Sequence, residues 1–175
     1  ELEVTYLDFR GELPAFDKYF YFPDNTHLAA LNRKHKKKRK DDEQRHSYSK
    51  QDYLRSRSSR VKNDMERRGI SLTKKELESL KYILERDYAS GKMLKHGHFR
   101  GHEGWTILFG TKHLQGYSDA FAGSGESAAT ILVHSIMNAP DHSLVLLDEP
   151  ETSLHPRAQQ RMLEFIAHQA ALNSS

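Results

Sequence analysis

The segment Leu144–Pro156, LVLLDEPETSLHP, holds the residue types best suited to chemistry. Four consecutive apolar residues ending in Asp148 and Glu149 describe a buried central strand that delivers two carboxylates to its C-terminal edge, where ligands bind in open α/β sheets. Asp148 there suits Mg²⁺, a hard cation that takes oxygen donors and keeps part of its hydration shell. Glu149, directly behind it, can polarise an attacking water as a general base. Taken alone, LVLLD reads better as an ordinary core strand ending in an acidic turn; the residues that follow change that. Upstream lies AGSGES, Ala122–Ser127. Gly123 and Gly125 let backbone N–H groups approach a ligand closely, and the dipole of the helix that follows favours an anion at the same place. The plainer reading of this cluster is a Gly-Ser helix cap.

Two further clusters carry weaker signals. Arg33, Lys34, Lys36, Lys37, Lys38, Arg39 and Lys40 form RKHKKKRK with His35, a run able to track nucleic-acid phosphates or to sit solvated on an exposed insertion; Tyr48 and Tyr53 are its sparse stacking partners. His96, His98 and His102 have a spacing that three zinc-binding histidines could use, but only Glu103 stands nearby to complete a shell, and polar strand-edge histidines are the alternative. Trp105 reads as core, and His134 as a packed or capping histidine.

These residues need elements to hold them. Residues 1–9 and Lys18–Phe22 read as short strands, and Leu72 onward resumes order after a polar stretch. Thr73 with Glu76 makes a capping box ahead of Leu77, Leu80, Leu84 and Tyr88, so the spacing predicts a helix over 73–89. A strand follows around Trp105–Phe109, then the Gly-Ser loop and a helix carrying Ile131, Leu132 and Ile136. Pro140 breaks that helix, Leu144–Leu147 is the next strand, and Pro156 opens a last helix. The order is α/β, divided into strands over 1–23, a basic insertion or linker over 24–70, and the loop–strand–helix part over 71–175.

Composition agrees with that division. Only 37% of the 175 residues are hydrophobic, and the net charge of +3 conceals a block at 28–70 with 15 Lys and Arg against 6 Asp and Glu. Such a segment buries too little surface to offset its ordering entropy, which leaves a solvated helical arm, a linker or disorder. There is no Cys, hence no disulfide framework and no thiolate zinc site, in keeping with a reducing compartment. No apolar run approaches the ~20 residues of a membrane span, and the start of the chain lacks a signal-peptide layout; a cytoplasmic, bacterial protein without membrane contact is the expectation.

GSGES followed by LLDEPETSLHP resembles the signature loop, Walker B motif and D-loop of ABC-type ATPases, in the branch with SMC proteins, DNA-repair ATPases and the overcoming-lysogenization-defect group. With Gln159 and Gln160 in the next helix, it is most similar to the PtuA-type ATPases of Septu and retron antiphage systems. The resemblance covers roughly Phe109–Ala171. It implies a partial ABC-type head that uses ATP and Mg²⁺. Asp148 would be the metal carboxylate and Glu149 the catalytic base. Gly123, Ser124, Gly125 and Glu126 would meet the nucleotide of an opposite subunit, with Ser153, Leu154 and His155 as the D-loop across an ATP-sandwich homodimer. It implies an HNH nuclease partner, and with it the retron reverse transcriptase and its RNA–DNA product.

Two departures stand out. Gly123 occupies the usual serine position, with Ser124 one place later. No G-x-x-x-x-G-K-[ST] loop is present: the Gly91-Lys92 pair is followed by Met93 and has Arg86 where the first Gly belongs. The expectation is a part of an ATPase without its phosphate-cradling lobe and switch histidine, and so without turnover of its own. Two rivals are a piece of an overcoming-lysogenization-defect nuclease and a non-catalytic scaffold with a degenerate nucleotide site.

Overall fold

The computed structural model describes residues 3–9, 50–98, 103–112, 116–151 and 153–173, with backbone only for 50–56. In chain order these form β1 (Val4–Asp8), α1 (Lys50–Arg68), β2 (Ile70–Ser71), α2 (Lys74–Leu84), β3 (Ser90–His96), β4 (Gly104–Gly110), β5 (Tyr117–Ser118), α3 (Ser124–Met137), β6 (Leu144–Asp148) and α4 (Pro156–Asn173). Residues 18–22 and Arg33–Lys40 lie outside the described residues.

Among the described residues the strands make two sheets. One is antiparallel, in the order β2-β3-β4-β5. The other joins β1 to β6 in parallel, from Val4 opposite Leu144 to Asp8 opposite Asp148. The sequence leads one to expect antiparallel strands in the N-terminal part; for β1 the pairing is instead parallel, with a strand from the far end of the sequence. A mixed α/β fold with a parallel pair and flanking helices fits part of a P-loop-type domain.

The predicted capping box sets the start of α2. The Glu76 N–H donates to Thr73 Oγ1 at 3.3 Å, and the Thr73 N–H donates to Glu76 Oε2 at 2.6 Å. The helix ends earlier than predicted, at Leu84, where Glu85 adopts a left-handed φ of 54° and donates its N–H to the Lys81 carbonyl. That early stop turns Arg86 and Tyr88 away from the helix axis and toward α3.

Helix α3 is buried nearly all round through Ala129, Ile131, Leu132, Val133 and Ile136, as a central helix should be. Helix α2 packs on both α3 and α4, and one apolar cluster runs from Leu7 and Phe9 through Leu80, Ile83 and Phe109 to Met162 and Phe165. The α2–α3 contact also has a polar staple. Glu76 Oε1 lies 2.7 Å from His134 Nδ1 and accepts from Asn138 Nδ2 at 3.1 Å, which makes His134 the packed histidine expected. Burial of Glu76 opposes its charge, but the Thr73 and His134 hydrogen bonds outweigh it and hold the carboxyl below its ordinary range.

Three expectations change here. Helix α1 is docked rather than a solvated arm: Val61 and Met65 are buried and the helix packs on β3. Trp105 is half-buried, edge-on to His134. Strand β6 is not covered on both faces: Val145 and Leu147 face the core, while Leu144 and Leu146 are exposed.

Candidate functional site

The GSGES loop opens α3. Gly123 is its N-cap and supplies no side-chain hydrogen bond; its carbonyl accepts the Glu126 N–H at 2.9 Å. A Cβ at Gly123 would meet nothing within 4 Å. Gly125 is the opposite case, since a Cβ there would stand 2.4 Å from the Ser153 carbonyl oxygen and 2.9 Å from Leu154 Cδ2. The loop and the turn after β6 thus touch through a position that only glycine can fill. Gly123 and Ser124 are exposed, Gly125 and Glu126 buried.

The turn after β6 is held in an unusual backbone. Glu149 has φ 50° and Ser153 φ 69°, left-handed values that cost non-glycine residues of order 1 kcal/mol or more and persist where the surroundings fix them. Gln159 supplies part of that fixing: its Nε2 donates to the Glu151 carbonyl at 3.2 Å and the Leu154 carbonyl at 2.9 Å. Leu154 is buried, while Ser153 and His155 are exposed. His155 Nδ1 accepts from the Arg157 N–H at 3.4 Å at the start of α4. Asp148 lies exposed at the end of β6, and Tyr6 on β1 donates its hydroxyl to Asp148 Oδ2 at 3.0 Å. That hydrogen bond and the nearby carboxylates raise the Tyr6 phenol above its ordinary value.

Glu126 turns its side chain away from the exposed end of the loop. Its carboxylate is 6% exposed and points inward. Oε1 accepts from Tyr88 at 2.6 Å and from Tyr117 at 2.5 Å, and Oε2 accepts from Arg86 Nη1 at 2.9 Å. Burial first, then the carboxylate, pushes both phenols upward, and the same carboxylate raises Arg86. Glu126 anchors the loop to the α2–β3 connection and to β5, with both oxygens engaged inside the protein. Nothing in the sequence links Arg86, Tyr88 and Tyr117 to Glu126; the available signal is a carboxylate in the first turn of a helix otherwise buried all round.

Of the three histidines, His102 lies outside the described residues. The His98 N–H donates to His96 Nδ1 at 3.2 Å, His96 Nε2 meets Thr106 Oγ1 at 2.9 Å, and His98 Nε2 meets Asp64 Oδ2 at 2.8 Å, which ties the end of β3 to α1. Among the described residues no group of His, Cys, Asp or Glu is arranged to hold a metal ion; Asp148 and Glu149 are neighbours, but Asp148 turns one oxygen to Tyr6. No helix of the described residues is long and apolar enough to cross a membrane.

A family model described as "AAA domain, putative AbiEii toxin, Type IV TA system" matches residues 6–174. No curated protein and no solved structure matches the chain.

Proposed function

The chain belongs to this AAA-domain family, a class of nucleotide-dependent ATPases that use Mg²⁺, and on that premise we propose that it forms the signature and Walker B half of an ATP-sandwich dimer. The observation that carries the reading is the Gly125–Ser153 contact, which makes the GSGES loop and the turn after Asp148-Glu149 one continuous surface.

In this reading Asp148, with one oxygen fixed by Tyr6, would hold Mg²⁺, which would supply charge neutralisation at the phosphates. Glu149 would accept the proton of the attacking water. The N–H groups at Gly123, Ser124 and Gly125 face the phosphates of the nucleotide held by the opposite subunit, and Ser153–His155 relays closure across the dimer. Glu126 serves by positioning that loop rather than by touching nucleotide. The phosphate-cradling loop is supplied by polypeptide other than these 175 residues. The likeness to PtuA-type ATPases extends the proposal to control of an HNH nuclease in antiphage defence, with a reverse transcriptase and its RNA–DNA product as further partners. The basic run at Arg33–Lys40 is the candidate nucleic-acid contact.

The test is turnover. Residues 1–175 alone are expected to stay at the background rate with Mg-ATP, and the assembled ATPase to lose at least 100-fold on Glu149→Gln. Ordinary turnover by residues 1–175, or an unchanged rate in Glu149→Gln, would overturn the proposal.

A further inference from the structure

Beside the GSGES loop lies a cleft of about 480 Å³ lined by Arg86, Asp87, Tyr88, Lys112, Tyr117 and Phe121. Three features set it apart. Phe121 is 86% exposed, the most exposed of the large hydrophobic side chains among the described residues. It stands two residues before Gly123, so the chain places its Cα within about 7 Å of the loop. The wall behind is aromatic and firmly built: the Tyr117 and Phe109 rings lie 5.3 Å apart, Tyr88 and Phe109 5.4 Å, and both phenols are tied to Glu126.

The polar groups at the rim of the cleft leave hydrogen-bond donors facing a guest. Asp87 is paired with Lys81 at 2.6 Å, which neutralises it from outside. Arg86 is held by Glu126 through Nη1 yet is 61% exposed, so its guanidinium is oriented while still presented to the cleft, and a planar fork with five donors has capacity beyond that bond. Lys112 is exposed on the same rim.

We propose that this cleft receives the purine base and ribose of the nucleotide whose phosphates meet the GSGES loop, with Phe121 as the stacking face and Arg86 and Lys112 as donors at its rim. A phosphate-only ligand leaves Phe121 in water; a nucleotide covers it. The inference rests on the nucleotide reading above and goes further by giving the chain its own selectivity for a base. Glu126, through Arg86 and Tyr117, is then the positioning residue that links base recognition to the loop.

The experiment is an amide NMR titration of ¹⁵N-labelled residues 1–175 with Mg-ATP and, separately, Mg-tripolyphosphate, which has the phosphates but no base. Both are expected to shift the Gly123–Glu126 amides, with Mg-ATP binding at least tenfold more tightly. Phe121→Ala is expected to abolish that difference by weakening Mg-ATP alone, and Phe121→Trp to preserve it. At an exposed site the alanine variant keeps its fold, which its amide spectrum verifies. Equal affinity of the two ligands for the natural chain, or equal weakening of both by Phe121→Ala, overturns the base cleft and leaves the nucleotide reading standing. If neither ligand moves the loop amides, the base cleft is overturned, and the nucleotide reading is decided separately by the Glu149→Gln turnover of the assembled ATPase.

Discussion

In the antiparallel sheet, Met93, Ile107 and Phe109 are at most 1% exposed, whereas in the parallel pair Val4, Tyr6, Leu144 and Leu146 stand between 44% and 58% exposed. Both sheets contribute to the same apolar cluster, yet only the antiparallel one is packed deep within it. Parallel strands ordinarily have both faces covered. Here the pair that ends in Asp148 and Glu149 is covered on one. Packing stability and the candidate chemistry therefore reside on different sheets, joined by α3 and the Gly125–Ser153 contact.

The strongest way to break this contrast is to truncate one side chain in each sheet. Phe109→Ala is expected to cost about 3–5 kcal/mol in urea unfolding, and Leu146→Ala about 1 kcal/mol or less. Equal losses would erase the distinction. The junction comes next: Gly125→Ala must displace the Ser153 carbonyl and is expected to lose about 1–3 kcal/mol, while Gly123→Ala, with open space around it, stays below about 1 kcal/mol.

A third test uses acid. Burial first, then the charges of His98 and Arg68, lower His96 from 6.5 to about 4, so the unfolded chain takes up the proton before the folded one. That contribution is complete above about 6.5 and lost as the pH falls toward about 4, with a slope of at most about 1.4 kcal/mol per pH unit. His96→Gln should flatten that window in urea titrations at stepped pH. Glu76, depressed below its ordinary 4.5, adds a loss only at pH below that, which Glu76→Gln should remove. The smallest effect is expected on the exposed pair: Tyr6→Phe should change stability by less than about 1 kcal/mol, and an effect as large as Phe109→Ala would contradict the division.

Local features were the legible ones. Thr73 and Glu76 announce the start of α2 because a capping box is written within four residues, and Pro140 after α3 and Pro156 at the start of α4 mark helix limits for similarly local reasons. The end of α2 was not legible, since Glu85 takes a left-handed turn that usually calls for glycine. An apolar run such as LVLL signals burial but not how many faces are covered. The β1–β6 pairing and the Glu126 anchor escaped for one shared reason. Tyr6 lies 142 residues from Asp148, and Arg86 and Tyr88 lie 40 and 38 residues from Glu126, and no periodicity connects a side chain to a partner so far along the chain.

The pairing of Val4–Asp8 with Leu144–Asp148 has a kinetic meaning as well. Nearly the whole chain must be closed into a loop before those strands meet, an entropic cost that the local α2 and β3–β4 contacts do not carry. On the ribosome β1 emerges long before β6, leaving Val4, Tyr6 and Leu7 without their partner strand during synthesis. Asp148 and Glu149 are expected to reach their final positions last, so the sheet that bears the candidate chemistry should also be the slowest part of the molecule to mature.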